Sequence, residues 1–165
     1  MRQFRSPMSD NPFAALTAVV APAILTNASS ILALGTGNRV ARVVDRTRLI
    51  AGELTRAAAD SPEYAIYTRQ LERLSERAQL LLRALRLFYA SLGAFAATAL
   101  IAVVGATLAE SATATLFRAT AIAGLASGGF AVGGLVFGCT LMVAETRLAV
   151  QNLTEEARLA RRRAS

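Results

Sequence analysis

The stretch PAILTNASSILALGTGNR, residues 22–39, decides how this chain is read. It lies mostly within an uncharged run, residues 13–34, that is 22 residues long. As a helix, such a run crosses a hydrocarbon core of roughly 30 Å. Yet the stretch holds a proline, two threonines, two asparagines, two serines and two glycines, and it ends on an arginine. Buried amides and hydroxyls in a bilayer need partners, so the face carrying them is expected to avoid lipid. On a helical wheel of about 100° per residue, Asn27, Ser30, Leu34, Asn38 and Asp45 share one stripe, with Arg42 beside it. Two readings are open. The stripe either bonds to a neighbouring helix or lines a pore repeated around a symmetry axis. Pro22 suits both, because it frees a backbone carbonyl inside the helix. Gly35-Thr36-Gly37 offers a place for the helix to break, which would split the stripe in two.

Two further uncharged runs follow, residues 87–109 and 119–144, each also long enough to span. Residues 110–118 form a short link that makes the second and third runs an antiparallel hairpin. The fold class expected is all-α, an integral membrane protein with three transmembrane helices. Asp10-Asn11-Pro12 reads as a cap before the first of them. A cleaved signal peptide is the rival reading of the first run, with Arg2 and Arg5 as its basic start and Ala21-Pro22-Ala23 as its cleavage site. The run continues past that point to Leu34, and a proline inside the site is unfavourable.

All 18 basic residues are arginine, the net charge is +7, and the chain has no histidine. Imidazole ligands, bases and pH switches are therefore excluded. Ten arginines fall between the first and second runs and five in the tail from Arg147, whereas Arg118 alone follows the second run before the third. Basic residues collect on the cytoplasmic side of spanning helices. Residues 35–86 and the tail 145–165 are then cytoplasmic, the 110–118 link and the N-terminal segment 1–12 are external, and the chain is N-out and C-in. Arg2 and Arg5 run against this bias. The lone Cys139 sits in an apolar run, where a thiolate is disfavoured and no internal disulfide can form.

The 35–86 connection is patterned. Val40, Val43, Thr47, Ile50, Leu54 and Ala57 follow a 3-4 spacing, and Tyr64, Tyr67, Leu71, Leu74, Ala78, Leu81 and Leu85 resume it. Between the two sets, Ser61 reads as a helix cap and Pro62 as the first helical residue. The spacing predicts a helical hairpin with a narrow apolar seam. The tail repeats the pattern at Thr146, Val150, Leu153, Ala157 and Ala160.

Arg39, Arg42 and Arg46 lie at the cytoplasmic end of the first run. They are expected to contact anionic lipid headgroups or, in an oligomer, to ring a pore mouth. Glu145, where the third run ends, is expected to form an interface ion pair or to contact the first-run arginines. The third run carries Gly124, Gly128, Gly129, Gly133, Gly134 and Gly138, three small-xxx-small pairs aimed at different sides of the helix. Close approach on more than one side predicts packing within the subunit and against another copy. No catalytic constellation, metal site or cofactor motif is present in the sequence, and the basic charge is explained by the membrane rather than by nucleic acid.

PAILTNASSILALGTGNRVARVVDRTRLI (22–50), an arginine-rich helix entering a span, and a third span ending in ETR (145–147) together resemble a bacterial family catalogued as domain of unknown function 2721. The resemblance covers about residues 12–156 and is most specific at NRVARVVDR, residues 38–46. It implies a small bacterial membrane protein and brings no activity or site residue.

Three spans leave little room for one subunit to enclose a path, so function through symmetry is the economical expectation. The leading expectation is a homo-oligomeric ion-conducting pore of the bacterial inner membrane, lined by Asn27, Ser30, Leu34 and Asn38 of the first helix. The alternative is a scaffold or signalling adaptor that docks a cytoplasmic protein on its hairpin.

Overall fold

In a computed structural model, the backbone is described for residues 12–108 and 114–164, and side chains for 20–106 and 115–151. Three α-helices make up the described residues: α1 (Pro12–Arg56), α2 (Pro62–Leu108) and α3 (Ala114–Ala164). Each contains a segment long and apolar enough to cross a membrane. The cap proposed at Asp10-Asn11, the centre of the 110–118 link, and the tail positions Leu153, Ala157 and Ala160 lie outside the residues described at that level.

The break considered at Gly35-Thr36-Gly37 does not occur. Helix α1 runs through all three residues and through Pro22, and no described glycine has a positive φ. A helical glycine costs about 1 kcal/mol relative to alanine. Here Ala33 and Thr36 bury their side chains on either side, so packing holds the helix through the weak point.

The link between α1 and α2 forms as the sequence predicts. α2 starts at Pro62, and the Ser61 hydroxyl accepts a hydrogen bond from the Tyr64 amide at 3.2 Å. A cap of this kind satisfies one of the four orphan amides of a helix start.

Burial recurs every seven residues along each helix. Pro22, Ser29, Thr36, Val43 and Ile50 are buried in α1, Leu81, Phe88 and Phe95 in α2, and Ala131, Gly138 and Glu145 in α3. A seven-residue period keeps one narrow stripe facing a partner helix, as in left-handed coiled coils. The 3-4 pattern of the connection therefore extends into the apolar runs, where small residues occupy it in α1 and α3 and phenylalanines in α2. Tyr64 departs from the expected seam and is exposed.

The chain divides into two compact units. The first comprises Met1–Leu32 and Phe88–Leu135. Its core holds Phe88, Phe95, Ala131, Ser29 and Ser91. α2 and α3 run antiparallel within it at close range. A Cβ added to Gly124 would lie 3.3 Å from Ile101 Cγ2, and one added to Gly128 would lie 3.6 Å from Thr98 Cγ2. The Ser127 hydroxyl donates to the Ala94 carbonyl of α2 at 3.0 Å. The second unit comprises Ala33–Leu87 and Val136–Ser165. Its core is Ala33, Val43, Ile50, Leu81 and Ala84, together with the carboxylate of Glu145.

Candidate functional site

The charged centre of the second unit is built around Glu145, which the seven-residue stripe of α3 turns inward. Its side chain is only 3% exposed. Isolated buried carboxylates are costly, and this one is paired twice. Arg77 of α2 donates from Nε at 2.9 Å and from Nη2 at 2.8 Å, both to Oε1. Arg39 of α1 donates from Nη1 to Oε2 at 3.1 Å. The same Nη1 reaches the Thr146 hydroxyl at 3.1 Å, which in turn donates to the Met142 carbonyl at 2.9 Å. One carboxylate thus joins all three helices. Beside it, the Thr36 hydroxyl donates to the Met142 sulfur at 3.5 Å.

Of the two expectations for Glu145, contact with a first-run arginine is the one found. Arg77 was not anticipated. It lies on the 35–86 connection, beside rather than on the predicted seam at Ala78. The available signal was that an inward carboxylate at the end of α3 demands more than one cation.

Around this centre lies a cleft of about 350 Å³. Arg39, Arg42, Arg46 and Arg77 line it together with Glu145 and Thr146, over an apolar lining that includes Val43, Leu74 and Ala149. Among the described lining residues, four guanidinium groups face one carboxylate, an excess of three positive charges. Both oxygens of that carboxylate are already engaged.

The stripe of α1 is arranged differently. Asn27, Ser30, Leu34 and Asn38 are all exposed in the subunit, Leu34 to 69%. The Ser30 hydroxyl donates to its own helix, at the Thr26 carbonyl 3.0 Å away. The side-chain amides of Asn27 and Asn38 have no hydrogen-bond partner among the described residues. Among the described residues, the stripe makes no side-chain hydrogen bond to another helix of the subunit. The buried face of α1 is the opposite one, Ser29, Ala33 and Thr36.

The glycines of α3 divide by side. Gly124 and Gly128 meet α2, Gly138 is buried and Gly134 half-buried, whereas Gly129 and Gly133 face open space.

A chain whose described residues form three helices, each long and apolar enough to cross a bilayer, is a multi-pass membrane protein. The family model described as Protein of unknown function (DUF2721) matches residues 19–155, and the chain belongs to that family. This agrees with the resemblance carried by residues 38–46. No curated protein and no solved structure matches the chain.

Proposed function

We propose that this chain is a homo-oligomeric, multi-pass protein of the bacterial inner membrane, N-out and C-in, that conducts ions along an axis lined by α1. Residues 35–86 form a cytoplasmic helical hairpin in this reading. The observation that carries it is the exposure of Asn27, Ser30, Leu34 and Asn38 along one face of α1, with neither amide paired among the described residues. Unpaired amides are unfavourable against lipid and are satisfied by water or by another copy. The open face at Gly129 and Gly133 suits close approach of such a copy.

Conduction is tested with purified, assembled protein in planar bilayers. Leu34 is the apolar constriction in this reading. Leu34→Ser is expected to raise conductance by wetting it. Arg42→Gln is expected to shift permeability towards cations. Silent bilayers for wild type and Leu34→Ser reject the pore. Orientation is tested separately with single cysteines at Ser61 and Thr113 in a Cys139→Ala background, which are expected to label from opposite sides. Labelling of both from the periplasm rejects the three-span topology.

A second reading, a scaffold or adaptor docking a cytoplasmic protein, is favoured by apolar side chains left exposed on the hairpin. Leu49 is 55% exposed and Ile66 39%. Assembled but non-conducting protein puts this reading first.

A further inference from the structure

The arginine cleft has more cation than its own carboxylate can use. Glu145 engages Arg39 through Nη1 and Arg77 through Nε and Nη2. Nε and Nη2 of Arg39 and Nη1 of Arg77 have no hydrogen-bond partner among the described residues. Among the described residues, Arg42 donates only from Nε, to the Asn38 carbonyl at 3.4 Å, and Arg46 has no carboxylate partner. Unused guanidinium donors thus line a recess of about 350 Å³, rather than being dispersed over a convex surface. Clefts lined by one sign of charge concentrate counter-ions, and the guanidinium fork matches tetrahedral oxyanions bidentately. The buried carboxylate does not cancel this. It holds Arg39 and Arg77 at fixed positions, so less side-chain freedom is lost when an anion arrives.

We propose that this cleft is a binding site for a phosphate-bearing anion, held by Arg42 and Arg46 together with the free donors of Arg39 and Arg77. The phosphate is carried either by a free anion or by an acidic phospholipid headgroup. Arg39 follows the first uncharged run, and Glu145 the third, so each stands where its helix leaves an apolar segment. Headgroup phosphates lie at that level of a bilayer. The site stands whether or not α1 lines a pore.

The test uses the full chain in detergent and in nanodiscs. Inorganic phosphate is titrated calorimetrically at constant ionic strength. Native mass spectrometry compares retention of phosphatidylglycerol with that of phosphatidylcholine. The variant is Arg42→Gln/Arg46→Gln, which leaves the Glu145 pairs intact. The charge-matched control is Arg48→Gln/Arg83→Gln, two exposed arginines outside the cleft.

Saturable phosphate binding identifies a free anion as ligand. Selective retention of phosphatidylglycerol without a phosphate response identifies a headgroup. Either supports the site if the cleft variant weakens it about tenfold or more while the control changes it by about twofold or less. Equal weakening by both variants means diffuse charge attraction and overturns the site. So does wild-type protein that binds neither phosphate nor phosphatidylglycerol. If the glutamine pair fails to fold, Arg42→Lys/Arg46→Lys keeps the charge but removes the planar fork. Weaker binding by that variant supports the site, and unchanged binding overturns it.

Discussion

The two units of this chain use the same helical period and fill it with different chemistry. In Met1–Leu32 with Phe88–Leu135, the buried stripe holds serine, alanine and two phenylalanines, and glycines let α3 approach α2. No ion pair forms there among the described residues. In Ala33–Leu87 with Val136–Ser165, the stripe holds valine, isoleucine and leucine beside Thr36 and Gly138, and a carboxylate shared by two arginines joins the helices. In the proposed topology, the contrast follows from the solvent around each unit. Where water surrounds a helix, burying branched aliphatic side chains drives association, and exposed guanidinium groups are well solvated. Where lipid surrounds it, apolar burial gains little and close backbone approach supplies the contact.

The largest effect that would break this contrast is at Glu145. Glu145→Ala removes the shared acceptor and leaves Arg39 and Arg77 facing each other. Removing one partner of a buried pair costs about 3–5 kcal/mol. Both arginines are partly exposed, so the expected loss is at the lower end, about 3 kcal/mol. Thermal unfolding of the detergent-purified protein measures it. A change below about 1 kcal/mol would mean the centre behaves like a solvated surface pair.

Next in size is the glycine contrast within α3. Gly128→Leu drives a side chain into Thr98 and is expected to destabilise the subunit by about 1–3 kcal/mol or prevent folding. Gly133→Leu enters open space and is expected to leave subunit stability unchanged while reducing oligomer size. Size-exclusion chromatography with light scattering, alongside thermal unfolding, separates the two. Loss of subunit stability in Gly133→Leu would show that the two glycine faces are not different in kind.

Much of this was legible in the sequence. The three runs, the Ser61 cap and the hairpin seam at Val43, Ile50 and Leu81 follow from length and spacing, which local physics fixes. The extension of that seam to Ser29 and Thr36 was harder to see. Seam positions in the apolar run are small or hydroxylated, so they do not contrast with their neighbours in hydropathy. Asn27 and Asn38 drew attention by polarity, yet they lie on the face turned outward. The sequence offered two destinations for Glu145. Choosing between them required knowing that the α3 stripe turns it inward, and Arg77 becomes its partner only once α2 has been brought beside it.

The smallest expected effect concerns hydroxyls in the first unit and asks whether polarity there acts through hydrogen bonds or through size. Ser127 donates across helices to the Ala94 carbonyl, which also accepts the Thr98 hydroxyl at 2.8 Å. Ser29 and Ser91 are fully buried, and neither hydroxyl has a partner among the described residues. Their value is then smallness, which lets helices approach, rather than bonding. Ser127→Ala is expected to cost about 0.6 kcal/mol, in line with interhelical bonds in membranes. Because the Thr98 bond to the same carbonyl persists, the loss is not expected to be larger. Ser29→Ala and Ser91→Ala keep the close approach and remove an unsatisfied group, so each is expected to be neutral or to stabilise by up to about 1 kcal/mol. Unfolding of the three variants under one set of conditions makes the comparison. If Ser91→Ala costs as much as Ser127→Ala, the Ser91 hydroxyl is bonded in the membrane, and the first unit is held by polar contacts as well as by small residues.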